Sequence, residues 1–153
     1  MKMLLLVVVL LFSTGALNAQ EEGSKGMEYI DSLISAAHHY DPRVVKVDTN
    51  YVRKSRKVSE HYFIDTTTQV LERAVIQVYH SPEHSTIEYY FFLNNALARV
   101  QSQVFSKEGF SDTRIHYFDN NTPLDCKKKD KALCDRYVAK ATGMLRMVRT
   151  IKG

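Results

Sequence analysis

Thr86-Ile87-Glu88-Tyr89-Tyr90-Phe91-Phe92-Leu93-Asn94-Asn95-Ala96-Leu97-Ala98-Arg99-Val100-Gln101-Ser102-Gln103-Val104 reads as two strands joined by a two-residue turn. Asparagine tolerates positive φ, so Asn94-Asn95 suits a tight hairpin. Ile87, Tyr89, Phe91 and Leu93 alternate with Thr86, Glu88, Tyr90 and Phe92. Ala96, Ala98, Val100, Ser102 and Val104 alternate with Leu97, Arg99, Gln101, Gln103 and Phe105. One face is consistently apolar and the other mixes polar and aromatic groups. A sheet with this pattern rests one face on a core and leaves the other largely wet.

The same texture extends outward from this hairpin. β-branched and aromatic residues dominate from Val44 to Phe118 and predict strands over 44–52, 58–65, 70–80, 86–93, 96–106 and 113–119. The breaks are short: the basic stretch Arg53 to Lys57, then Thr66-Thr67-Thr68, Ser81-Pro82-Glu83, Asn94-Asn95 and Lys107-Glu108-Gly109. Connections this short force antiparallel neighbours, because a parallel return needs a long crossover. The expectation is a five- to six-stranded antiparallel meander.

A helix is expected on each side of the strands. Met27, Ile30, Leu33, Ile34 and Ala37 recur at spacings of three and four, and Asp41-Pro42 stops the run. After the turn Asn120-Asn121-Thr122-Pro123, an amphipathic helix fits about 130–151, with Leu133, Tyr137, Ala141, Met144, Val148 and Ile151 on one side. Arg136, Lys140, Arg146 and Arg149 lie mostly off that stripe. Gly143 is a weak point mid-helix, costing about 1 kcal/mol relative to Ala. The fold class expected is α+β.

The N-terminus carries an address. Met1-Lys2-Met3 is followed by an unbroken apolar run from Leu4 to Phe12, then Ser13-Thr14-Gly15 and Ala16-Leu17-Asn18-Ala19, with a small residue, Ala19, at the cut. These are the three parts of a secretory signal peptide, and the apolar run is far short of the roughly 20 residues that span a bilayer. The expected organisation is a signal peptide over 1–19, a flexible lead over 20–26 and one α+β domain over 27–153. An exported, periplasmic or secreted location follows. In such a compartment the two cysteines, Cys126 and Cys134, are expected to form a disulfide, stabilising by about 2–3 kcal/mol.

The formal charge is +4, unevenly spread. Residues 20–123 carry eleven Lys and Arg against fourteen Asp and Glu; residues 124–153 carry nine against three. The basic end suits a solvated helix face, or contact with an anionic membrane surface. Basic and aromatic residues do not interleave, so nucleic acid is not an expected partner.

Chemistry-bearing motifs are sparse. There is no nucleophile elbow, phosphate loop or dinucleotide fingerprint, and no cofactor or catalytic residue is implied. His80-Ser81-Pro82-Glu83-His84 is the densest histidine cluster, and His80, Glu83 and His84 are the candidate metal ligands. Pro82 makes it a turn, so solvated hairpin residues are the competing reading. Tyr62, Tyr90, Phe92 and Phe118 fall on the mixed face. Open, they would form a recognition surface for a protein or glycan of the envelope or extracellular space; covered by a helix, they would be core.

The signal ending Leu17-Asn18-Ala19-Gln20 and the hairpin from Tyr89 to Val100 resemble small exported, largely uncharacterised proteins of Bacteroidota-type bacteria. The resemblance implies a periplasmic or secreted location and carries over no catalytic residue. Asp31-Ser32-Leu33 and Asp65-Thr66-Thr67 are similar to the O-glycosylation acceptor pattern of that group. The function expected is an envelope binding or interaction module. The alternatives are a small secreted hydrolase with a dispersed site and a peripheral membrane protein using the basic C-terminal helix. A cleft gathering His61 or His116 with a carboxylate would favour the hydrolase.

Overall fold

The computed structural model describes residues 25–35, 43–111 and 113–150. The chain divides into two compact units, Met1–Ala37 and His38–Gly153. The signal peptide expected over 1–19 lies outside the described residues. In the first unit, residues 25–35 form helix α1, which already includes Lys25 and Gly26 of the expected lead.

The second unit is an antiparallel meander closed by a helix. Its strands are β1 (Val44–Arg53), β2 (Arg56–Asp65), β3 (Leu71–Ser81), β4 (His84–Leu93), β5 (Ala96–Ser106), β6 (Gly109–Phe110), β7 (Arg114–Asp119) and β8 (Thr122–Pro123). They lie in the order β1-β2-β3-β4-β5-β7-β8, with β6 pairing β5 off this path. A 3₁₀ turn, Lys128–Asp130, leads into helix α2, Lys131–Thr150. The fold is α+β, as the sequence pattern predicts, and the strand order is the chain order because every turn is too short for a crossover.

Three turns hold both central residues at positive φ: Lys54-Ser55, Asn94-Asn95 and Asn120-Asn121. That is the signature of a tight hairpin whose twist matches its strands. The β2–β3 connection uses a different device. Asp65 accepts hydrogen bonds from the amides of Thr67 (2.7 Å) and Thr68 (3.0 Å), and Thr66 donates its hydroxyl to the carbonyl of Arg43 (2.8 Å). These backbone bonds hold the Asp65 carboxyl below its usual range.

The core under α2 draws on both alternation sets. Helix α2 lays Cys134, Tyr137, Ala141, Met144 and Val148 beside Tyr62, Tyr90, Phe92, Leu97, Val100 and Phe118, so Val100 of the apolar set in β5 shares a face with Tyr90 of the mixed set in β4. Ile87, Tyr89 and Leu93 of the apolar set stay partly exposed, while Phe91, Ala96 and Ala98 are buried. Two facts of physical chemistry favour this choice. Aromatic rings carry the largest apolar areas available for burial. The polar groups between them also find partners there, so burying them is tolerable. Register adds to it: Phe91 pairs Arg99 while Phe92 pairs Leu97, which leaves Ala98 as a bulge and turns Leu97 onto the core face.

A cationic cleft beside the C-terminal helix

Tyr62, Tyr90, Phe92 and Phe118 do come together, but not as a surface. They are 3%, 0%, 4% and 1% exposed, so the recognition face proposed for them does not exist. A helix with an apolar stripe at Tyr137, Ala141, Met144 and Val148 must bury it, and this face is where it does so. Tyr90 and Tyr137 meet edge to face, with centroids 6.0 Å apart.

The expected disulfide is present, Cys126 to Cys134, with Cα atoms 6.5 Å apart. It ties the lysine-rich turn to the first turn of α2. The three metal candidates are not gathered. His80 Nε2 lies 2.9 Å from Thr86 Oγ1, and Glu83 instead reaches Lys107 at 3.6 Å. His80 and His84 sit ring to ring at 5.2 Å, and burial with the nearby Arg56 lowers the His80 pKa. No group of three metal-ligating side chains occurs among the described residues. Thr66 is exposed in its turn, and Ser32 donates to the carbonyl of Tyr29 within α1.

A concavity among the described residues lies where, apart from Tyr62, the sequence reading marks no site. Helix α2 covers the sheet only in part, and beside it opens a cleft of about 770 Å³. Binding sites for small molecules are of this size. One wall is a flank of α2: Arg136, Lys140, Gly143, Met144 and Met147, spaced as one helical stripe. The other wall is the β1–β2 hairpin, with Tyr51, Arg53, Lys54 and Arg56. Val58, Glu60, Tyr62, Ile76 and Val78 form the floor.

Glu60 is the carboxylate of the cleft. Tyr51 donates to its Oε1 at 2.6 Å and Tyr62 to its Oε2 at 2.5 Å. Burial, reinforced by the adjacent carboxylate, pushes the Tyr51 phenol up to about 12 and the Tyr62 phenol further still. Both hydroxyls therefore keep their protons and act as donors. Five cationic side chains surround this one carboxylate. Lys140 is engaged elsewhere, donating to Glu88 Oε2 at 2.5 Å. Arg53, Lys54, Arg56 and Arg136 are exposed around the opening.

Glu88 itself is sealed under α2. Its side chain is 9% exposed and also accepts from Tyr90 at 2.8 Å. Burial, followed by the Glu88 charge, raises the phenol pKa of both Tyr90 and Tyr137. His61 and His116 do not line the cleft. His61 Nδ1 lies 2.7 Å from Asp48 Oδ1, and His116 Nδ1 lies 3.9 Å from Asp125 Oδ1 with its ring tilted against that of Tyr137 at 5.8 Å, but neither pair lies in the cleft.

The basic stretch after β1 and the 136/140/143/144/147 stripe on α2 are visible in the sequence. Their convergence is not, because it depends on where α2 crosses the sheet. Compared with family models, with curated proteins and with solved structures, the chain matches none of them.

Proposed function

We propose that this protein is an exported binding module of the cell envelope, periplasmic or secreted, whose ligand occupies the cleft between α2 and the β1–β2 hairpin. The observation that carries the reading is the cleft itself: an open, preformed concavity with convergent polar groups over a partly apolar floor. The disulfide is compatible with export, and none of the described helices is long and apolar enough to cross a membrane. The hydrolase alternative gains no support from the site. Neither His61 nor His116 reaches the cleft, and Glu88 is closed off by Lys140 and Tyr90.

Gly143 gives a clean test. It lines the cleft and a Cβ built on it meets nothing within 4 Å, so a side chain starts there in open space on the cleft flank. The soluble small-molecule and lipid fraction of an envelope extract should raise the melting temperature of the wild-type protein by several degrees, as any ligand specific to the folded state does. Gly143→Phe should melt normally alone and show no such rise. An equal rise in both proteins, or none in the wild type, rejects the cleft as the binding site.

A further inference from the structure

We infer that the ligand of this cleft is a single-chain amphiphile with an acidic head, its head held by Arg53, Arg56 and Arg136 and its chain laid along Met147 and the floor of the cleft. The inference rests on the reading of the cleft as the binding site. Three observations carry it.

The first is the distribution of chemistry. The exposed cations line the cleft from two different elements, Arg53, Lys54 and Arg56 from the β1–β2 hairpin and Arg136 from α2. Guanidinium groups suit carboxylate and phosphate because their planar forks donate two parallel bonds. The apolar groups are less exposed: Val58 and Ile76 at the floor and Met144 on the α2 wall are buried, while Met147 on the same wall remains 37% exposed. A methionine exposed in a concavity adapts to chains of different shape. Arg136 already lies over the Tyr137 ring at 5.8 Å, an arrangement that leaves its charge uncompensated. A headless anion would leave the apolar strip wet, and a neutral chain would leave the cationic lining without a counter-charge.

The second is Glu60. Its two oxygens are already occupied by Tyr51 and Tyr62. Two neutral phenols leave its charge in place, but that one carboxylate stands against Arg53, Lys54, Arg56 and Arg136, so the lining keeps an excess of positive charge for an acidic head. Lys140, the cation nearest the interior, is already paired with Glu88.

The third is the turn that presents the rim. Lys54 and Ser55 both adopt positive φ, at 49° and 61°. The other two turns with both central residues at positive φ place Asn-Asn there, where asparagine is better tolerated. A lysine held in the left-handed region is strained, and strain of this kind collects at ligand sites. Here it places a charge at the mouth of the cleft where asparagine would fold more easily.

The test uses the purified protein as its host processes it, titrated calorimetrically below the micelle concentration of each probe. Dodecanoate and dodecyl phosphate carry the two acidic heads, dodecyl maltoside is the neutral control and inorganic phosphate lacks the chain. At least one acidic amphiphile should bind about tenfold or more tighter than the maltoside and than phosphate. A preference for dodecanoate identifies a fatty-acid source, and a preference for dodecyl phosphate a phosphate-headed lipid. Arg53→Glu with Arg56→Glu, both exposed and outside the core, should weaken that binding at least about tenfold; Gly143→Phe should abolish it. Equal binding of the maltoside, equal binding of phosphate, or unchanged binding in Gly143→Phe overturns the inference. If the envelope extract stabilises the wild type but not Gly143→Phe while no acidic probe binds, the cleft stands as the site and the ligand class is rejected.

Discussion

Glu60-His61-Tyr62 in β2 and Glu88-Tyr89-Tyr90 in β4 are the same local device in two places. In each, a tyrosine two residues on donates its hydroxyl to the glutamate, at 2.5 Å in β2 and 2.8 Å in β4. Both glutamates align with Ile76 across the sheet, so they share a face and stand two strands apart. Their fates differ. Glu88 lies under α2 and receives Lys140, whereas Glu60 receives the phenol of Tyr51 and faces the cleft. The strands supply the same motif twice, and the path of one helix makes the first a wall of an open cleft and the second a sealed core network.

The most forceful way to break this comparison is to remove the helix's contribution. Lys140→Met leaves Glu88 buried without its cation and should cost about 2–3 kcal/mol in urea unfolding, allowing for the partial exposure of the lysine. Adding Glu88→Leu together with Tyr90→Phe should recover most of that loss, since neither a buried charge nor an unpaired buried hydroxyl then remains. Glu60→Gln should cost under about 1 kcal/mol, because water can reach the cleft. Equal losses from Lys140→Met and Glu60→Gln would mean that coverage by α2 is not what separates the two sites.

Alkaline titration sharpens the comparison at intermediate size. Tyr51 has its phenol raised from 10.0 to about 12 in the folded protein. The folded state therefore holds this proton more tightly. Its stabilising contribution is fully present below pH 10 and is lost as the pH rises through about 12. Tyr51→Phe should reduce that decline by on the order of 1 kcal/mol, a figure discounted for the exposure of the ring. Tyr90, under the helix, is shifted further in the same direction, so across pH 10 to 12 the folded state keeps its proton while the unfolded state loses it, and Tyr90→Phe should reduce the decline in this window at least as much as Tyr51→Phe. Melting curves carried above about pH 12 separate the two, because the Tyr51 contribution levels off there and the Tyr90 contribution goes on falling.

The smallest effect concerns the helix that draws the boundary. Gly143 lies on the cleft flank with room for a Cβ. Gly143→Ala should stabilise by up to about 1 kcal/mol, measured by chemical denaturation, and leave Glu88 and Glu60 in their present environments. Destabilisation would show that the backbone at this position needs glycine.

Much of the fold can be read from particular residues. Asn94-Asn95 marks a hairpin because few other pairs tolerate two positive φ values. The strand spans follow from alternation and short breaks, and α2 follows from the stripe of Tyr137, Ala141, Met144 and Val148. Cys126 and Cys134 are bonded as their number and expected compartment imply. The candidate site was less legible. Tyr62, Tyr90, Phe92 and Phe118 share a face as alternation indicates, but alternation says only that two faces differ and not which of them a helix covers. His80, Glu83 and His84 are neighbours in sequence, yet the turn sends Glu83 toward Lys107 and His80 toward Thr86.

Sequence by itself determined the elements: an antiparallel meander, its tight turns, an amphipathic helix at the end and a short-range disulfide. Those are set by local energetics, by φ tolerance at turns and by the periods of apolar residues. Only the tertiary structure decided which sheet face became core, by letting Lys140 meet Glu88 and by shifting Leu97 inward through the Ala98 bulge. It also decided that Arg53, Arg56 and Arg136, more than eighty residues apart at the extremes, border one cleft. Such convergence has no local signal, because it follows from where a helix crosses a sheet, and that crossing is set by packing between distant segments.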